Sequence, residues 1–204
     1  MGGGFAFTGG HTNGAPTNGK RKSRADSPHS HEFTKFAESL YQKWGHKLEI
    51  VTGDAAVKRL AKIARSAGDG RIINAAFEVL NDNKARIVMG PNSTLYDFWH
   101  ESLHMEQLMK LPESGRAAAW GDMIRQSEHL LEVDVVKQMR DKPEAWKAMS
   151  PMLQAHALVY AKDVCEQMRK DVPQELERWI QEWQQNNKAS DINRMHDDYL
   201  GIMY

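Results

Sequence analysis

The chain of 204 residues carries one cysteine, Cys165. That excludes a disulfide within the chain and a thiolate-rich zinc site, so any metal has to be held by His, Asp or Glu. Neither sign of charge is in excess, since 27 Lys and Arg offset 27 Asp and Glu. This balance supplies no electrostatic pull toward nucleic acid or an anionic membrane surface, and no nucleic-acid partner is expected. No apolar run approaches the roughly 20 residues that span a bilayer, so no membrane span is expected either. A basic start followed by an apolar stretch is missing from the N-terminus, so no secretory signal is read there. If the protein is exported, something else is expected to carry it.

Residues 1–31 are rich in Gly, Thr, Asn, Ser and Pro, with one short basic run, Lys20-Arg21-Lys22-Ser23-Arg24. Too little apolar surface is present there to offset the entropy of ordering, and a flexible leader or linker is expected. The domain proper is expected over 32–204. "EFTKFAESLYQKWG" has apolar residues at helical spacing and stops at Gly45. "KLEIVTG" predicts a short strand, and "DAAVKRLAKIARSAGDG" a helix opening at Asp54. "INAAFEVLND" fits strand or helix, and "KARIVMG" predicts another strand, closed by Gly90-Pro91-Asn92. From Asn92 onward the pattern is helical. One helix is capped by Asn92 or Ser93 and runs to Leu111, a second spans Gly115 to Asp141, and shorter ones follow through Trp183, punctuated by Pro143, Pro151 and Pro173. The predicted class is α+β, mostly α-helical, with a small N-terminal α/β part followed by a mostly helical C-terminal part.

The stretch "FWHESLHMEQL" places His100 and His104 four residues apart with Glu101 between them. In a helix, residues four apart lie only about 40° from each other, so both imidazoles can face one ion. Glu101 is turned by about 100° from His100 and is badly placed as a ligand of that ion, but it can reach a water on it. This is how a metalloprotease arranges two zinc ligands and a general base. Leu95, Phe98, Met105 and Met109 share one face of this helix and the histidines the other. The bland alternative is therefore a solvated polar face rather than histidines packed in a core.

A catalytic zinc takes three protein ligands and keeps a position for water. In "SEHLLEVDVVKQM", Glu132 falls in the same stripe as Ile124, Leu131, Val135, Val136 and Met139. A carboxylate among apolar residues is costly unless paired or metal-bound, which makes Glu132 the leading third ligand. Glu128, one turn earlier, is the rival. Either can bind zinc while the other orients a histidine, and the plainer reading of Glu132 is a carboxylate snorkelling at the edge of the stripe. His129 and Asp134 point away. Tyr96, His156 and Tyr160 are candidate hydrogen-bond donors to a developing oxyanion, although packing explains each of them as well. Asp97 can accept from a ligand histidine or be an ordinary acid near a helix start. "KARIVMG" is a candidate exposed sheet edge for aligning an extended peptide.

"GPNSTLYDFWHESLHMEQLMKL" followed by "SEHLLEVDVVKQM" resembles the zincin-like metallopeptidase toxin domains of bacterial polymorphic toxins, over residues 84–162. Such domains occur at the ends of large secreted proteins, including Rhs-type and spike-associated type VI secretion effectors. In that group the third ligand is often the first acid of a Glu-x-x-Ala-like run. "EVDVV" puts that role on Glu132, while Val135 stands where a small residue is commoner, which leaves Glu128 open. The resemblance implies a zincin-like fold with a small β-sheet packed on the motif helix, bound Zn²⁺, and hydrolysis of a peptide or protein substrate. It also implies a delivery module of a secretion system, entry into a target cell, and a cognate immunity protein. Two readings compete with it: a non-catalytic, zinc-stabilised helical interaction module, and a helical adaptor without metal.

Overall fold

The structure is a computed structural model that describes residues 6–7, 31–67, 73–187 and 191–196. The leader expected over 1–31 lies outside the described residues, apart from His31 and the two-residue strand β1, Ala6–Phe7. Helix α1 spans His31–Trp44 and stops at Gly45, whose positive φ of 56° suits a residue without a Cβ. β2 is Leu48–Val51, α2 is Gly53–Ala67, β3 is Ala75–Asn81 and β4 is Lys84–Met89. The ambiguous segment before β4 is thus a strand. Five of the seven β3 residues are buried in succession, so neither the alternation of a half-exposed strand nor a helical period shows in its sequence. The helical part consists of α3, Leu95–Met109; α4, Arg116–Arg140; α5, Pro143–Ala148; α6, Pro151–Gln167; and α7, Gln174–Asn187. Pro143 and Pro151 sit in the first turns of α5 and α6, where their missing N–H groups cost nothing. No helix among the described residues is long and apolar enough to cross a membrane.

The protein is α+β and mostly helical, with a small mixed sheet in the order β1-β3-β4-β2. β4 pairs antiparallel with β3 and parallel with β2, so it is an interior strand and not the exposed edge expected from the sequence. β3 is its hairpin partner, but β2 is distant in sequence, and nothing within "KARIVMG" distinguishes an inner strand from an edge.

The chain divides into two compact units that part within α4, between Ile124 and Arg125. In the first unit, Ala56, Leu60 and Ile63 of α2 form a buried cluster with Ile73, Ala76 and Val88 on one face of the sheet. Arg59 of α2 forks onto the buried Glu78 of β3 through Nε and Nη2. α3 packs on β3 and β4, with Phe98 of α3 stacked on Phe33 of α1 at 4.4 Å between ring centroids. The turn after β4 depends on Gly90. Its N–H donates to Asn74 O at 2.8 Å, and a Cβ there would stand 2.8 Å from that same oxygen. In the second unit α6 packs against α7, and Arg140 of α4 pairs with Glu182 at 2.6 Å and lies 5.2 Å above the Trp179 ring.

The cap of α3 is Thr94, two residues after Asn92 and one after Ser93, the caps expected from the sequence. Thr94 Oγ1 accepts from Asp97 N at 3.2 Å, while Asp97 Oδ2 accepts from Thr94 N at 2.7 Å. This reciprocal pair satisfies two orphan donors of the helix start. Ser93 is turned away instead, its Oγ donating to Asn74 O. Asp97 is therefore a buried acid engaged in the cap rather than a surface acid. Replacing Asp97 with Ala is expected to cost about 1–2 kcal/mol, lowering the thermal midpoint of the metal-free protein by a few degrees. A melt followed by circular dichroism checks this, and an unchanged midpoint would show that the capping box contributes nothing.

Candidate metal centre

The helix that carries the motif is not two-faced. From Tyr96 to Leu108 every residue of α3 is buried except the half-buried Trp99 and Glu106. The solvated polar face expected as the bland alternative is overturned: His100 is 7 % exposed and His104 is fully buried. The sequence suggested otherwise because His, Glu, Ser and Gln occupy the second face, and polar residues usually mark a surface. Here polar side chains fill the middle of a buried helix, a placement that is costly unless each is satisfied.

The imidazoles are aimed at each other. His104 Nε2 lies 3.2 Å from His100 Nε2, with the rings 5.0 Å apart and 76° between their planes. Two nitrogens bound to one tetrahedral zinc at about 2.0–2.1 Å each are separated by about 3.3 Å. The spacing on α3 is thus the bite that such an ion requires. Phe77 of β3 and Trp120 of α4 each stand 6.1 Å from the His104 ring and restrict it, and Tyr96 stands 6.1 Å from His100.

Among the described residues, one group of three possible ligands comes together: His100, His104 and Glu132, each offering an atom within 4.8 Å of the others. All three are buried, Glu132 to 1 % exposure. Two neutral imidazoles and one carboxylate are the donor set of many zinc sites, so the chemistry of the residues present fits this metal. Glu128 is half-buried and outside the group. Immediately before Glu128 the helix loses regularity at Ser127, with φ −144° and ψ 24°. The His129 N–H next to this kink donates to Met168 Sδ at 3.3 Å. Upstream, α4 is anchored by Asp82 of the β3–β4 turn, whose carboxylate accepts from Gly115 N at 3.0 Å and Ala117 N at 2.8 Å. Those two N–H groups hold the Asp82 carboxyl below its ordinary range.

The remaining candidates fall in different places. Glu101 is 2 % exposed and neighbours His100 on α3. Tyr96 is buried one turn before His100. His156 and Tyr160 lie buried on α6, their rings stacked at 6.1 Å, and His156 Nδ1 faces His196 Nδ1 at 3.1 Å. His196 had no sequence signal, because it lies 40 residues from its partner and no motif joins the two. His129 is buried and, like Asp134, lies outside the group of possible ligands. Compared with protein-family models, with curated proteins and with solved structures, the chain matches none of them.

Two expectations follow. Zinc analysis of purified protein should find one ion per chain in wild type and large losses in His100→Ala, His104→Ala and Glu132→Ala, with Glu128→Ala retaining it. Loss in Glu128→Ala alongside retention in Glu132→Ala would overturn the grouping. The second concerns His129, whose pKa is held below its ordinary value by burial and then by the like charge of Lys170. The unfolded chain takes up this proton near pH 6.5 while the folded chain resists it. Stability from this residue is therefore undiminished above about pH 6.5 and falls as the pH drops below it. The urea midpoint of metal-free wild type should decline more steeply from pH 7 to 5.5 than that of His129→Gln; equal slopes would contradict this.

Proposed function

We propose that the protein is a zinc metallopeptidase. The observation that carries this reading is the buried His100, His104 and Glu132 group with Glu101 adjacent to its first member. His100 and His104 would hold the ion through Nε2 and Glu132 through a carboxylate oxygen. When bound, zinc supplies Lewis acidity, acidifying a coordinated water and polarising the scissile carbonyl. Glu101 is then the proton carrier, taking a proton from the attacking water and delivering it to the nitrogen of the departing amine. The low-dielectric surroundings strengthen each of these interactions, because little water is present to screen them.

Burial also favours a second reading. Structural zinc sites are closed, and three ligands this deeply covered suit a non-catalytic, zinc-stabilised helical module. Glu101 argues for hydrolysis, since a closed structural site has no use for a buried carboxylate beside its ligand. The wider reading follows from the resemblance of residues 84–162 to toxin metallopeptidases. In it the protein is an antibacterial effector carried by a delivery module into a neighbouring cell, with an immunity protein protecting the producer.

Glu101→Gln separates the two readings. Under the hydrolytic reading it keeps zinc at wild-type stoichiometry and lowers peptide cleavage by about 10²–10⁴-fold, with loss of toxicity when expressed in bacteria. Full activity in this variant would sink the mechanism. Zinc-dependent folding without cleavage or toxicity in wild type would favour the structural module.

A further inference from the structure

The motif does not account for Gln107. It lies three residues beyond His104 on α3, is 4 % exposed, and sets its side-chain Oε1 2.8 Å from His104 Nδ1. The other nitrogen of the same ring faces His100 Nε2 at 3.2 Å. A neutral imidazole has one N–H and one lone pair, so the partner of one nitrogen decides what the other can do. With a carbonyl oxygen against it, Nδ1 has to carry the proton, which leaves the Nε2 lone pair directed toward His100 Nε2. The reverse tautomer would set lone pair against lone pair at Nδ1 and turn an N–H into the position that an ion needs.

We infer that Gln107 is a positioning residue, which fixes the Nδ1–H tautomer of His104 and so commits Nε2 to the metal. This rests on the metal reading proposed above. An amide suits the position better than a carboxylate. Glu101 and Glu132 already place two acids in buried surroundings, and a third would add negative charge where solvent cannot screen it. The amide orients the ring through a neutral hydrogen bond instead. Outer partners of this kind are worth about 10–100-fold in metal affinity. The sequence carries a trace of the arrangement, because residues three apart on a helix are neighbours and Gln107 stands at that distance from the second histidine.

Two measurements on the full chain test the inference. Long-range ¹⁵N–¹H correlation spectra of metal-free wild type report the tautomer of each histidine ring. Protonated Nδ1 on His104 is expected, and protonated Nε2 would overturn the proposal. Zinc affinity by chelator competition is then compared among wild type, Gln107→Leu and Gln107→Glu, with circular dichroism of the metal-free proteins as the check on folding. Gln107→Leu should bind about 10–100-fold more weakly, while Gln107→Glu, which keeps an acceptor at Nδ1, should stay within a few-fold of wild type. Unchanged affinity in Gln107→Leu, or an equal loss in both variants, would overturn the role. If Gln107→Leu fails to fold, the wild-type tautomer and Gln107→Glu still decide. Wild type that binds no zinc overturns the metal reading itself, whereas zinc-binding wild type with an unaffected Leu variant overturns the role of Gln107 alone.

Discussion

Two imidazoles turned Nε2 to Nε2 at 3.2 Å within a buried helix constrain everything around them. Without a shared proton or ion, two lone pairs would face each other in a medium that screens poorly. The rest of the first unit holds this arrangement in place. Phe77 of β3 and Trp120 of α4 confine the His104 ring, Gln107 occupies its far nitrogen, and the Thr94–Asp97 box sets where α3 begins. The sheet supports the helix from beneath, and the Gly90 turn joins β4 to it through a backbone approach too close for any side chain. A metal site needs ligands fixed by their neighbours, and these are the neighbours that fix them.

Glu132 completes the donor set from α4, a helix whose start is secured by Asp82 and whose course is interrupted at Ser127. A buried carboxylate is costly in an apolar stripe, and a cation shared with the two histidines would offset that cost. The same burial frames the central question of function. It makes metal binding easy to explain, it would strengthen the acid–base chemistry proposed for Glu101, and it resembles a closed structural site more than an open cleft.

Much of the fold was legible in the sequence because short-range signals fixed it. The stop at Gly45, the prolines opening α5 and α6, and the limits of α2 and α4 within a residue or two all come from local chemistry. Several features escaped because they depend on distant partners. β4 reads like any short strand, and only its pairing with β2 and β3 makes it interior. Ser93 was as good a cap as Thr94 until Asn74 claimed its hydroxyl. At the site, the spacing of His100 and His104 and the stripe around Glu132 were readable from helical geometry. The burial of both histidines was not, because a helix covered on all sides by other elements has the same sequence pattern as one exposed along its polar face. His196, which faces His156 across 40 residues, was out of reach because no motif joins the two.

X-ray absorption at the zinc edge of the metal-loaded protein reads the ligand shell itself. A four-coordinate shell of light atoms at about 2.0–2.1 Å is expected, with the outer-shell scattering of two imidazole rings, one of which disappears in His104→Ala. A six-coordinate shell of oxygen alone, with no imidazole scattering and no change in that variant, would contradict it.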